Sequence, residues 1–162
     1  MDYLWSPWRM QYIQNKEQGI ECVFCYAVRQ TDDAQYLILH RAKHCFVILN
    51  RFPYTSGHLM ILPYEHQASY EDLNPETRAE IMETINLSTT VLREIYHPHG
   101  FNIGVNIGED AGAGIAPHVH FHLVPRWRGD SNFMSVTALT RVLPEDLQES
   151  YQRLKAAWTK RL

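Results

Sequence analysis

His118-Val119-His120-Phe121-His122-Leu123-Val124-Pro125 is the stretch on which the reading of this chain turns. Three histidines alternate with apolar residues. Successive side chains of a β-strand point to opposite faces, so residues i, i+2 and i+4 share one face. The alternation predicts a strand over 118–124. It puts all three imidazoles on one face and Val119, Phe121 and Leu123 against a core. At ~3.3 Å per residue the outer two rings stand roughly 13 Å apart. Histidine is not a favoured strand former, so three on one face point to a working site rather than to packing.

A glycine-rich run leads into this stretch: Asn106-Ile107-Gly108-Glu109-Asp110-Ala111-Gly112-Ala113-Gly114-Ile115-Ala116-Pro117. Glycine opens backbone conformations closed to other residues and lets a ligand approach the main chain. Such a loop can aim consecutive N–H groups at an anion. Loop and histidines together suggest a phosphate held beside a nitrogen nucleophile.

Working outward, strands are predicted at 35–40 and 45–50, joined closely enough for a hairpin. A longer turn from Phe52 to Gly57 leads to a third strand at 58–62, stopped by Pro63. Asn74-Pro75 opens the longest helix, with an N-cap residue followed by proline at the first helical position. Its apolar stripe is Ile81, Met82, Ile85, Leu92 and Ile95. His97-Pro98-His99-Gly100 ends it, with both histidines read as solvent-exposed turn residues. A fourth strand is expected at 101–107, and 118–124 is the fifth. Pro144 opens a last helix with the stripe Leu147, Tyr151, Leu154 and Trp158. The order gives an α+β fold: an antiparallel sheet of about five strands, one long helix and a C-terminal helix. Residues 1–20 form an aromatic extension in which Ser6-Pro7 can open a short helix. Trp5, Trp8, Met10, Tyr12 and Ile13 are expected to cover the domain or a partner subunit.

A chain of 162 residues fits one domain with a real core. The net charge of −3 argues against a dedicated nucleic-acid binder, while local loops can still hold a nucleotide. No apolar run approaches the ~20 residues that span a bilayer, and the N-terminus lacks the pattern of a signal peptide. Three cysteines, an odd count, fit a reducing compartment. A cytoplasmic protein without membrane association is expected. Cys22-Val23-Phe24-Cys25 is either half a zinc site or a redox pair.

The pattern His, apolar, His, apolar, His, apolar, apolar over 118–124 resembles the signature of the histidine triad (HIT) family. Gly57-His58-Leu59-Met60-Ile61-Leu62-Pro63-Tyr64-Glu65-His66 resembles that family's other marker, a histidine opening a strand that ends in proline, with a second histidine soon after. Pro125-Arg126-Trp127-Arg128-Gly129-Asp130-Ser131-Asn132-Phe133 and Asp2-Tyr3-Leu4-Trp5-Ser6-Pro7-Trp8-Arg9 resemble a bacterial branch that includes dinucleoside polyphosphate phosphorylases. The resemblance implies the HIT-like fold over residues 21–133, with 134–162 packed on it. It implies a homodimer or higher oligomer, as does the exposed edge of a small open sheet.

The resemblance also implies the chemistry. His120, the middle histidine, is the nucleophile of a covalent nucleotidyl-histidine intermediate. His122 polarises the transferred phosphate, and His58 orients the site from the neighbouring strand. Asn106 and the Ala113–Gly114 backbone hold phosphate oxygens, and Asn50 lies near the ribose. A structural zinc is expected on Cys22, Cys25, His66 and His118, since zinc prefers four thiolate or imidazole ligands. Hydrolytic members often carry Gly-Gln-Ser/Thr where this chain has Ala113-Gly114-Ile115, which leaves room for an acceptor other than water. The expected reaction is cleavage of a dinucleoside polyphosphate at the α-phosphate by phosphorolysis or hydrolysis. The alternatives are a nucleoside phosphoramidate hydrolase, a non-catalytic nucleotide-binding regulator, and a metallohydrolase with zinc on the triad itself.

Overall fold

The computed structural model describes residues 22–130 and 145–161. The aromatic extension, its short helix and the Pro144 helix start lie outside them. Helix α1 (Val23–Arg29) is followed by a single turn, α2 (Asp33–Tyr36). Strands β1 (Ile38–Arg41), β2 (Cys45–Leu49) and β3 (Leu59–Pro63) come next. Helix α3 (Pro75–Tyr96), β4 (Gly100–Val105), β5 (Phe121–Arg126) and α4 (Leu147–Thr159) complete the order. The five strands form one antiparallel sheet in the order β1-β2-β3-β5-β4, so the fold is α+β as expected.

Helix α3 begins where its caps require. The Asn74 side chain accepts from the Thr77 amide at 2.8 Å, and Pro75 takes the first helical position, where its missing N–H costs nothing. The helix ends with His97 in the left-handed region, φ 46°. Ile81, Ile85 and Leu92 are buried and Ile95 is partly buried against the core. Met82 departs from the predicted stripe and is 59% exposed. It sits one residue past Ile81, about 100° around the helix and away from the sheet. Helix α4 starts at Leu147 behind an Asp146 cap, and Tyr151, Leu154 and Trp158 are buried as expected.

Two strand predictions are corrected. The segment 35–40 does not begin as a strand. The Asp32 carboxylate accepts from the amides of Ala34 and Gln35, caps one turn of helix, and leaves Leu37 at φ 63°; the strand starts at Ile38. A local side-chain cap outcompetes the apolar run. The triad strand begins at Phe121, three residues later than predicted. β3 pairs with β5 as Leu59↔Leu123, Met60↔His122 and Ile61↔Phe121, and the same register carried on would set Leu62 opposite His120 and Pro63 opposite Val119. Proline has no amide to donate to a ladder. The Val119 amide bonds the Gln67 carbonyl instead, at 2.7 Å, drawing 118–120 off the sheet.

Glu80 of α3 ties helix to sheet, its carboxylate accepting from the amides of Lys43, His44 and Cys45 at 3.3, 2.5 and 3.0 Å.

Candidate active site and metal centre

The three triad histidines are buried or partly buried, but they divide between two places. His118 turns to α1 and the loop after β3. His122 faces His58, and His120 meets His122. Phe24 of α1 packs on both His118 and His120, with ring centroids 5.5 and 5.3 Å apart. The strand predicted over 118–124 is corrected to one that carries only His122, since 118–120 lies outside it; the His118 and His120 rings both pack on Phe24, and His120 meets His122.

On β5, His122 is opposite Met60 on one side and Gly104 on the other. A methyl group built at Gly104 would meet nothing within 4 Å, so the space beside His122 is open. The rings of His120 and His122 are 5.0 Å apart, and those of His58 and His122 5.1 Å.

Hydrogen-bond partners assign the tautomer of each ring. The Tyr54 amide donates to His58 Nδ1 at 3.1 Å, so His58 carries its proton on Nε2. That nitrogen stands 2.9 Å from His122 Nδ1 and donates to it. His122 therefore carries its own proton on Nε2. His120 Nδ1 donates to the His118 carbonyl at 2.8 Å, which leaves the lone pair on Nε2. His118 Nε2 donates to the Pro63 carbonyl at 3.0 Å, which leaves the lone pair on Nδ1. Burial holds His120 below the usual histidine range and takes His118 and His122 down to about 4. Near pH 7 the site thus pairs a neutral imidazole lone pair with a neighbouring N–H donor.

His118 Nδ1 faces the thiols of Cys22 and Cys25, 3.5 Å from each, and Cys25 Sγ is 3.2 Å from His66 Nδ1. The four ligand atoms lie within 4.8 Å of one another. A zinc tetrahedron with its ordinary Zn–S and Zn–N lengths has S···N edges of roughly 3.6 Å. The donor set fits zinc, and the Pro63 bond fixes His118 in the ligating tautomer. Burial, then Cys22, push the Cys25 thiol up to about 11. A bound cation would offset that cost of charge. Two cysteines, His66 and the predicted first triad histidine are thus brought together.

The loop side is less complete. Asn106 Nδ2 reaches the Gly112 carbonyl at 3.5 Å. The Ala113 amide donates to Gly108 at 3.2 Å, while the Gly114 amide has no such backbone partner among the described residues. Asn50 accepts from the Phe52 amide at 2.9 Å, and its Nδ2 stands 3.3 Å from His58 Nδ1, so its amide braces the turn before His58. The sequence pattern did not single out the Tyr54 amide, the Pro63 carbonyl or Phe24. The first two are main-chain groups, which leave no mark on residue type, and Phe24 reads as ordinary core.

Comparison with known proteins agrees with this geometry. The HIT domain family matches residues 32–129. The chain is 34% identical to AP-4-A phosphorylase of Mycobacterium tuberculosis, over 97% of this chain and 84% of that one. It is 28% identical to the asymmetrical bis(5'-nucleosyl)-tetraphosphatase of Schizosaccharomyces pombe, over 57% of this chain and 50% of that one. A zinc-bound histidine triad protein from Mycobacterium smegmatis superposes with a TM-score of 0.69 at 32% identity, covering 86% of this chain and 94% of the other. The two markers, the five-stranded sheet and these likenesses converge, and the chain belongs to the HIT family.

Proposed function

We propose that the protein cleaves dinucleoside polyphosphates at the α-phosphate through a nucleotidyl-His120 intermediate, with inorganic phosphate as the favoured acceptor. The chain is a HIT-family nucleotidyl transferase or hydrolase, and this reading narrows it. The observation that carries it is the set of tautomers: a lone pair on His120 Nε2 beside a proton on His122 Nε2. His120 Nε2 attacks the α-phosphorus, and the bond to the bridging oxygen breaks. The leaving phosphate departs as an anion, its oxygen accepting a hydrogen bond from His122 Nε2–H, while His58 holds His122 in the donating tautomer. The acceptor then attacks phosphorus and displaces His120. Asn106 and the Gly114 amide hold the phosphate oxygens, and Asn50 orders the turn that carries His58. Ala113-Gly114-Ile115 in place of a glutamine-bearing loop supports an acceptor other than water.

Cys22, Cys25, His66 and His118 would hold zinc in a closed, structural site. When bound, the metal supplies a cross-link between α1 and the triad segment, not chemistry on the substrate. The chain is further read as a domain over residues 21–133 with 134–162 packed on it, and as a homodimer or higher homo-oligomer.

The test is to incubate the protein with diadenosine tetraphosphate, with and without inorganic phosphate. Phosphorolysis yields ATP and ADP; hydrolysis yields ATP and AMP whether or not phosphate is present. His120→Ala should lose several orders of magnitude in turnover and still bind nucleotide. Near wild-type turnover in that variant would sink the nucleophile assignment.

A further inference from the structure

We propose that Tyr96, clamped by the C-terminal helix, is a positioning residue for the His58–His122 pair, so that a helix outside the matched family domain is a working part of the site. The proposal rests on the catalytic reading above. It begins at Gly57, which is joined directly to His58. Gly57 has φ +76°, a conformation that suits glycine. A methyl group built there would meet the Tyr96 ring at 2.9 Å (Cε2) and 3.1 Å (Cδ2), and Leu92 Cδ2 at 3.0 Å. The aromatic ring therefore lies against the backbone that feeds His58. His58 in turn is held on both sides of its peptide, its amide donating to Thr55 at 3.2 Å and its carbonyl accepting from Asn50 at 2.9 Å. A shift of Gly57 is passed on to His58, whose 2.9 Å bond to His122 has little slack.

Tyr96 is held from the other side by residues of the C-terminal segment. Its hydroxyl donates to Glu145 Oε2 at 2.5 Å. The same oxygen accepts from Ser150 Oγ at 2.6 Å, and Arg153 pairs with the other carboxylate oxygen. The Arg153 guanidinium lies over the Tyr96 ring at 4.9 Å and donates to the Ile95 carbonyl at 3.2 Å. Trp127, just past β5, meets the ring edge-on and bonds the Tyr96 carbonyl at 3.3 Å. Burial opposes charge on Glu145, yet the bonds from Ser150, Tyr96 and Arg153 hold its carboxyl below the usual range. Tyr96 is thus a side chain at which the end of α3, the segment after β5, the C-terminal helix and the turn before His58 meet. The family match ends at residue 129, and Glu145, Ser150 and Arg153 of the clamp lie beyond it.

The test uses Tyr96→Phe, which keeps the ring and removes the hydroxyl link, and Glu145→Gln. Ala156→Gly, in the exposed interior of α4, serves as a control that weakens the helix without removing a clamp residue. Two readouts are taken: ring ¹⁵N chemical shifts of His58 and His122, and kcat and KM on diadenosine tetraphosphate. Tyr96→Phe and Glu145→Gln should move the ring shifts and lower kcat about tenfold with KM nearly unchanged. Ala156→Gly should lower Tm and leave both readouts as in the wild type. Unmoved shifts with unchanged kcat in the two clamp variants would overturn the proposal, as would the same loss in the control. If the wild type cleaves no dinucleotide, the catalytic reading fails, while the ring shifts still decide whether Tyr96 positions His58.

Discussion

A histidine's tautomer decides what it can do, and in three of the four site histidines a main-chain group sets it. Tyr54 N–H, the His118 carbonyl and the Pro63 carbonyl set His58, His120 and His118 respectively, and His58 sets His122. Main-chain partners move little, so the lone pairs and protons stay where they are placed. Burial has a second consequence at this scale. An unfolded histidine titrates near 6.5, whereas burial, then His120, take His122 to about 4. Below pH 6.5 the unfolded chain binds a proton that the folded chain excludes. Stability is therefore fully present above 6.5 and falls as pH drops towards 4, by on the order of 2 kcal/mol from this group. Urea midpoints measured from pH 7 to 4 should show that slope, and His122→Asn should flatten it. An equal slope in the variant would refute the assignment.

Among the elements, α1 has the least support of its own. It is seven residues long, and its N-cap, Cys22, makes no side-chain cap bond. A helix that short does not persist alone in water. What holds it is Phe24 against the His118 and His120 rings, and the two cysteines facing His66 and His118. Cys22→Ser should therefore remove about one equivalent of zinc per chain and lower stability by a few kcal/mol. Elemental analysis and thermal unfolding check this, and full zinc in the variant would reject the site. The elements also show where sequence patterns succeed. Helix α3 was legible to the residue because Asn74 and Pro75 act through local bonds. The start of the triad strand was not, because a strand exists only where its partner offers amides, and Pro63 offers none.

For the whole molecule, the two edges of the sheet differ. At β1 the Tyr151 hydroxyl and Lys155 ammonium of α4 donate to the Ile38 carbonyl, and Lys155 donates also to Leu39. At β4 the residues Asn102, Ile103 and Gly104 are exposed, with Ile103 at 51%. A long bare edge invites another strand, so a second copy is expected to pair there. Light scattering at micromolar concentration should give a dimer, and Ile103→Lys should shift it to monomer with the far-ultraviolet circular dichroism unchanged. A wild-type monomer would reject the pairing.

The fold class, the long helix and the two histidine markers of the family were legible in the sequence itself. Caps, turn residues and apolar periods act over a few residues, and the paired histidine markers survive as residue types. Tertiary structure alone decided how the triad is shared out. The alternation of 118–124 predicts a strand throughout, but the Val119 amide bonds the Gln67 carbonyl, and His118, ahead of the strand, faces the cysteines. It also decided that Tyr96, at the far end of α3, lies on the glycine beside His58. Such contacts depend on which distant backbone groups the folded chain brings within 3 Å, and residue order carries no local signal of that.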